Sequence, residues 1–350
     1  MLYNFGFYIH HHGAGHLMRA IAIARELRDC SVTFIGTFPR ERRHMIPDWV
    51  SVIDLPPDVA GSADKALDTS LAGLHYAPLN ICGQRKRVAM ISDFFVRSFP
   101  MLFIVDVSAE VSMVARLCGV PYLVMRQHGQ RDDLAHHLAF HNAYGLIAPY
   151  SPLLQASEEQ WLSEKTFFTG GLCRFHPEED ESEFWDRKVG VLIGSGGTSI
   201  DLSFLNHIAE QCPSWNFEVF GKMNLNSLPA SNLRFYGALP DPRAGLRKCS
   251  MVISNAGHNS VMEMAALNKR MILIPETRPF FEQQQKASLL EKLGFACLVN
   301  PADIYRIDWN ALFISTSYHR PELGKLIEPR AAEYAAGYMK ICYEKLFIES

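Results

Sequence analysis

Four histidines lie within a short stretch near the start of the chain: His10-His11-His12 and, after Gly13-Ala14-Gly15, His16. Imidazoles can ligate a metal or move a proton near neutral pH. A zinc site needs carboxylate or Cys partners at matching spacing, and none follow here. The run sits inside a strand-to-helix junction, unlike an appended tag. Gly-His at a helix start is ordinarily a turn with a cap. Gly13-x-Gly15 is a weak dinucleotide signal, because no third Gly follows at the required spacing.

A second group of polar residues stands between Asn255 and Gln285. Gly257 opens a helix, so His258, Asn259 and Ser260 present the unpaired N–H groups of a helix start, which suit a phosphate. Glu263 follows on the first turns of that helix. Its carboxylate can accept two hydrogen bonds from the vicinal hydroxyls of a ribose. Glu282, Gln284 and Gln285 open the next helix, and a Gln amide both donates to and accepts from sugar hydroxyls. The bland alternative is a surface helix with a polar start. A third group, Gly194-Ser195-Gly196-Gly197-Thr198, is a Gly-rich loop of the kind that offers backbone N–H groups to phosphate. It lacks the Gly-Lys-Ser/Thr ending of a P-loop.

The elements that must hold these groups are legible from apolar runs. Met251–Ser254, the helix after Gly257, the strand ending at Pro275 and the helix Phe281–Lys292 form a parallel α/β unit. Phe5–Ile9 is a strand followed by an amphipathic helix carrying Leu17, Ile21, Ala24 and Leu27 on one face. Ser31–Gly36, Val50–Leu55, Val88–Ser92, Met101–Asp106, the PYLVM run and Gly145–Pro149 read as further strands. The PYLVM strand ends at Arg126-Gln127-His128-Gly129. Arg40–His44 reads as a solvated helix, and residues 57–87 as an unassigned loop near an acceptor. In the second half, Val189–Ile193, Phe217–Gly221, Leu233–Leu239 and Cys297–Val299 restart the pattern. This predicts two doubly wound α/β domains, with ligands beyond the carboxyl ends of their strands.

The motifs resemble those of GT-B glycosyltransferases, specifically the MurG-like, family 28 group. AGHNSVME, MILIP and EQQQ follow that group's donor-site order at similar spacing, with Glu282 in place of the usual Asp. The resemblance implies two Rossmann-like domains facing a central cleft. Residues 1–170 would bind the acceptor, 171–188 link, 189–330 bind a nucleotide-sugar, and 331–350 form a helix returning to the first domain. It further implies that Glu263 holds the ribose and that Gln284 and Gln285 hold the donor sugar. Arg174 would meet the phosphates, Gly194, Ser195 and Gly197 would form the phosphate loop, and the segment at Leu239 would cup the base. Gly13, Gly15 and His16 match the Gly-rich loop of the acceptor side, where Gln127 and His128 also end a strand.

The reaction so implied is an inverting transfer to a hydroxyl, which needs a general base. His16 has the right type and place, although His10, His11 or His12 could reach the same cleft. Asp106 would orient His16, and Asp93 would serve equally on sequence grounds. No Asp-x-Asp occurs, so neither metal nor cofactor is expected; the nucleotide-sugar, UDP-linked in this reading, is a co-substrate. The acceptor, whether glycan, lipid-linked sugar or small aglycone, is not legible. Two rivals remain. Gly15-His16-Leu17-Met18-Arg19 resembles the start of the hydrolase of pseudaminic-acid synthesis, and a non-catalytic sugar-binding subunit would also keep the fold.

Composition sets the outer bounds. The chain has 350 residues, 48% hydrophobic and 20% charged, with a net charge of −3. That length fits two domains, and the charge gives no reason to expect nucleic acid or bulk electrostatic membrane binding. The eight Cys are scattered, with no CxxC pair, as expected of thiols in a reducing compartment. No apolar run approaches the ~18 residues of a membrane span, and the start lacks the basic residues of a signal peptide. The expectation is a cytoplasmic protein with at most peripheral contact at the inner membrane face.

Overall fold

The structure, a computed structural model, describes residues 3–11, 15–65, 73–74, 77, 79–178, 187–194 and 197–349. His12, Gly13, Ser195 and parts of the 57–87 and 171–188 segments lie outside them.

Thirteen described strands form two parallel sheets. The first contains β1 (Asn4–Ile9), β2 (Ser31–Gly36), β3 (Ser51–Asp54), β4 (Leu102–Asp106), β5 (Tyr122–Met125), β6 (Gly145–Ala148) and β7 (Thr166–Phe168), in the order β3-β2-β1-β4-β5-β6-β7. The second contains β8 (Lys188–Leu192), β9 (Asn216–Phe220), β10 (Leu233–Gly237), β11 (Met251–Ser254), β12 (Arg270–Leu273) and β13 (Ala296–Leu298), ordered β10-β9-β8-β11-β12-β13. Helices cover both faces, so central strands such as β4, β5 and β11 are apolar and buried along their length.

The two strand orders are the same, and that fixes where a ligand can go. Each sheet reverses direction once, between β1 and β4 in the first and between β8 and β11 in the second. Loops leaving two neighbouring strands at such a reversal turn to opposite faces and leave a crevice at the carboxyl ends. His16 follows β1 and Asp106 ends β4. Gly194 follows β8 and Gly257 follows β11.

The helix Ala331–Phe347 returns to the first sheet. Its Ala335, Met339 and Cys342 share a core with Phe5, Ile21 and Ile104. Lys340 pairs with Asp29 at 2.9 Å, and Tyr3 donates to Glu344.

One strand assignment is overturned. Val88–Ser92 lies within a helix, Cys82–Ser98. Its buried residues are Arg87, Ile91, Phe94 and Phe95, which is helical spacing. The short apolar run hid that period because Val88 and Met90 face outward. Arg87 is buried by hydrogen bonds to the Tyr8 hydroxyl at 2.5 Å, Thr37 Oγ1 at 2.9 Å and the Pro56 carbonyl at 2.8 Å. Thr166–Phe168 adds a seventh strand at the sheet edge.

Candidate functional site

The helix Gly15–Arg25 begins at the β1–β4 crevice and places two polar side chains one turn apart, His16 and Arg19. His16 Nδ1 lies 2.7 Å from Asp106 Oδ2, and Arg19 Nη2 donates to Asp106 Oδ1 at 2.6 Å. Arg19 Nη2 also approaches His16 Nδ1 to 3.2 Å. A guanidinium can only donate and an ionised carboxylate can only accept. His16 Nδ1 therefore carries the proton toward Asp106, and Nε2 is the basic nitrogen. Burial alone would raise the Asp106 carboxyl. Arg19, and after it His16, outweigh burial and hold it well below the usual carboxylate range.

This geometry chooses between the two candidate aspartates. Asp93 sits in the helix Cys82–Ser98, 61% exposed and paired with Arg97 one turn on. It does not end a strand, and its carboxylate is engaged by Arg97. Among the histidines, the His10 ring lies 5.4 Å from that of His16 and tilted by 54°, and His11 Nε2 lies 3.8 Å from Asp58.

The second sheet presents the helix His258–Ala266, begun by Gly257 with no side-chain cap. Glu263 is buried on it, and its Oε1 accepts from Arg174 Nε at 2.8 Å. Burial raises the Glu263 carboxyl above the ordinary value despite the nearby Arg174. Arg174 Nη1 donates to the Pro240 carbonyl at 2.8 Å, beside the exposed Leu239. The linker arginine, the ribose candidate and the base-cupping segment thus form one contiguous group. His258 Nε2 is buried without a hydrogen-bond partner. Burial, then Lys286 and Arg19, push that imidazole well below its usual value, so it is neutral.

Gly194 is exposed, with nothing near the position of an added Cβ. Gly197 has φ +87, a left-handed conformation that favours glycine, and its carbonyl accepts from Arg278 Nη2 at 2.6 Å. Glu276, unnoticed in the sequence, fixes this loop. Its Oε1 accepts from Ser199 N at 2.5 Å, Ser199 Oγ at 2.7 Å and Asn255 Nδ2 at 3.0 Å. One carboxylate thereby ties together the loops leaving β8, β11 and β12.

The Gln residues divide by task. Gln284 Oε1 is buried and unpartnered, whereas Gln285 Oε1 accepts from Gly129 N at 2.6 Å. Glu282 lies 3.5 Å from Lys286 Nζ, whose side chain is fully buried and also meets the Ala256 carbonyl at 3.4 Å. One acceptor-side assignment, His128, meets a buried position. Its ring is tilted against that of Tyr150 at 4.0 Å, with Nε2 3.1 Å from the Leu154 carbonyl. It supports the wall and has no face left for an acceptor. Gln127 is partly exposed, and its Oε1 lies 3.4 Å from Arg131 Nη2.

The two crevices face each other. A methyl group placed on Gly15 would lie 3.2 Å from Asn259 Nδ2. A solvent-open cleft lies between them, with Met18, Arg19 and Ala22 on one wall and Arg174, His258, Asn259 and Glu263 on the other. Among the described residues no group of His, Cys, Asp or Glu is placed to hold a metal, and no helix is long and apolar enough to cross a membrane.

Comparison with known proteins agrees with this arrangement. Residues 221–308 match the glycosyltransferase family 28 C-terminal domain. A relative from Shewanella amazonensis, UDP-N-acetylglucosamine--N-acetylmuramyl-(pentapeptide) pyrophosphoryl-undecaprenol N-acetylglucosamine transferase, is 25% identical over 81% of this chain and 81% of its own. The protein of the same name from Chlorobium luteolum is 22% identical over 92% and 94%. The chain is a glycosyltransferase of GT-B fold whose residues 221–308 are a family 28 C-terminal domain, similar to the MurG group. The crystal structure of MurG from Acinetobacter baumannii superposes on this glycosyltransferase with a TM-score of 0.64 at 14% identity, covering 97% of this chain and 99% of that one. CalG4, the calicheamicin glycosyltransferase, gives 0.68 at 14% identity over 99% and 100%. In this MurG-like chain the matched segment begins after β9 and runs past β13, so it contains Leu239, Glu263, Gln284 and Gln285.

Proposed function

We propose that this glycosyltransferase moves a sugar, with inversion, from a UDP-sugar to a hydroxyl of a lipid-linked or glycan acceptor at the inner membrane face. The donor occupies the second domain, residues 189–330, and the acceptor the first, residues 1–170. The observation that carries the reading is the pairing of His16 with Asp106 directly across the cleft from the helix start at Gly257. The acceptor oxygen attacks the anomeric carbon as its proton passes to His16 Nε2. The bond from that carbon to the diphosphate oxygen breaks on the opposite side, and UDP leaves. Charge developing on the diphosphate meets the N–H groups after Gly257, the loop at Gly194–Gly197 and Arg174. Asp106 stabilises the imidazolium that forms. The chemistry needs no further cofactor, and cytoplasmic UDP-sugars and lipid-linked precursors are the matching pools.

The test is a panel of UDP-sugars, UDP-N-acetylglucosamine first, incubated with and without lipid-linked and soluble glycan acceptors. UDP release that depends on acceptor, with an inverted product by NMR, supports the reading. Sugar released to water at the same rate without acceptor would make the protein a hydrolase. UDP binding without turnover on any pair would make it a binding subunit.

A further inference from the structure

Among the described residues Arg19 is the guanidinium built into the His16–Asp106 pair, and nothing in the transfer chemistry above requires it. Its side chain is 5% exposed, and Asp106 is 8% exposed. Its Nη2 reaches both Asp106 Oδ1 and, at 3.2 Å, His16 Nδ1. Two donors this close to each other are held together only by the carboxylate between them. The pair is thus a three-membered unit from two elements, Arg19 and His16 one turn apart on one helix and Asp106 at the end of β4.

We propose that Arg19 is the positioning residue of the base: it pins Asp106, fixes the proton on His16 Nδ1, and shares the carboxylate's charge with the imidazole, leaving Nε2 as the accepting nitrogen. This rests on the reading of His16 as the base. The physical argument is a competition for one negative charge. An aspartate facing only an imidazole favours imidazolium, and a protonated His16 cannot accept a proton from the acceptor. Arg19 takes up part of that charge and adds its own repulsion at Nδ1. The buried carboxylate also needs a permanent partner, because an ionised group without one is costly in such a site.

Other groups facing His16 act in a fixed background. His10 comes from the end of β1, with its ring 5.4 Å away. Across the cleft stand His258 and, behind it, buried Lys286, both within electrostatic reach of this unit. Arg19 is the residue whose guanidinium donates directly to Asp106 Oδ1, at 2.6 Å.

The experiment is long-range ¹H–¹⁵N NMR on the full chain labelled with ¹⁵N-histidine, with the His16 signal assigned by its loss in His16→Gln. In the wild type the neutral ring is expected as the Nδ1–H form. In Arg19→Gln the His16 titration midpoint should rise by about one pH unit, the scale of a lost neighbouring charge. Arg19→Lys should restore most of that shift, and Arg19→Gln with Asp106→Asn should abolish it. UDP affinity by calorimetry should stay near wild type in Arg19→Gln. A wild-type ring in the Nε2–H form, readable even if no variant folds, overturns the proposal. So does an unmoved midpoint in folded Arg19→Gln, or a loss of UDP binding in its place, which would make Arg19 a phosphate ligand. These readouts do not use turnover, so they separate this proposal from the catalytic reading of His16.

Discussion

The N–H of Gly129 donates to Oε1 of Gln285 at 2.6 Å, joining the end of the first sheet to the donor-side helix across 156 residues. Beside it, Gln130 N donates to the Phe280 carbonyl at 2.7 Å. Gly129 has φ +112, and a Cβ there would meet that carbonyl at 2.7 Å. Only glycine allows the two domains to approach this closely.

Gln284 and Gln285 should therefore fail differently. Gln284→Ala removes a buried carbonyl that has no partner, so stability should hold while the intact donor binds less tightly than before relative to free UDP. Gln285→Ala strands the Gly129 N–H and should cost about 1–3 kcal/mol of stability. Urea denaturation together with calorimetry on UDP and UDP-N-acetylglucosamine checks both. Equal losses for the two ligands in Gln284→Ala would show that it does not touch the sugar.

Phe280 should act as an interdomain clasp. Its ring lies 4.5 Å from the Arg131 guanidinium and 4.9 Å from the His136 ring, both in the first domain. Phe280 and Phe281 both adopt positive φ, at 63° and 53°, a conformation bulky residues rarely hold. Phe280→Ala should widen the cleft, read as a larger radius of gyration by X-ray scattering without ligand, with UDP restoring part of the compaction. An unchanged scattering profile would mean that the Gly129 and Gln130 hydrogen bonds hold the cleft alone.

The Glu263 carboxyl, raised by burial, gives a signed pH dependence. A raised acid protonates at higher pH than an ordinary Glu, near ~4.3. Ribose hydroxyls donate best to the ionised form, so UDP affinity should fall as pH drops, starting above that ordinary value. Glu263→Gln should flatten this profile, and Glu263→Ala should weaken UDP by about 1–3 kcal/mol. Because Glu263 also receives Arg174 Nε, Arg174→Ala should lose part of the same affinity, and the double variant should lose less than the sum. Calorimetry across pH with a flat wild-type profile would remove Glu263 from the ribose.

Asp106 carries the opposite sign. Its folded carboxyl is held well below the usual range by Arg19 and His16 against burial. It contributes stability above the unfolded value of ~3.9, and that contribution is lost as pH falls toward the folded value. Acid unfolding of Asp106→Asn should therefore be less steep below pH ~4. At neutral pH, His16→Gln should lower turnover by about 10²–10⁴-fold with UDP binding retained. A His16→Gln enzyme with most of its turnover would place the base elsewhere.

The residue types and their local order were written in the chain itself. A strand, a glycine turn and a helix are set by side chains a few positions apart, so the junctions at His16, Gly194 and Gly257 could be read directly, as could Glu263 and the Gln pair. The helix through Val88–Ser92 could not, because a five-residue apolar run carries no period and only burial of Arg87, Ile91, Phe94 and Phe95 reveals it. Partnerships were likewise beyond the sequence. Asp106 and Asp93 are the same side chain until β4 pairs beside β1 and brings one of them to His16. Gln284 and Gln285 are identical neighbours until helix geometry turns one toward Gly129. His128 looks like a cleft residue until Tyr150 and the Leu154 carbonyl cover it. Arg19 reads as an ordinary helix cation until Asp106, 87 residues away, buries it. The sequence specifies which groups exist and which turns they stand on. Their electrostatics depend on the groups that end up within a few ångströms, and strand order together with helix packing decides those.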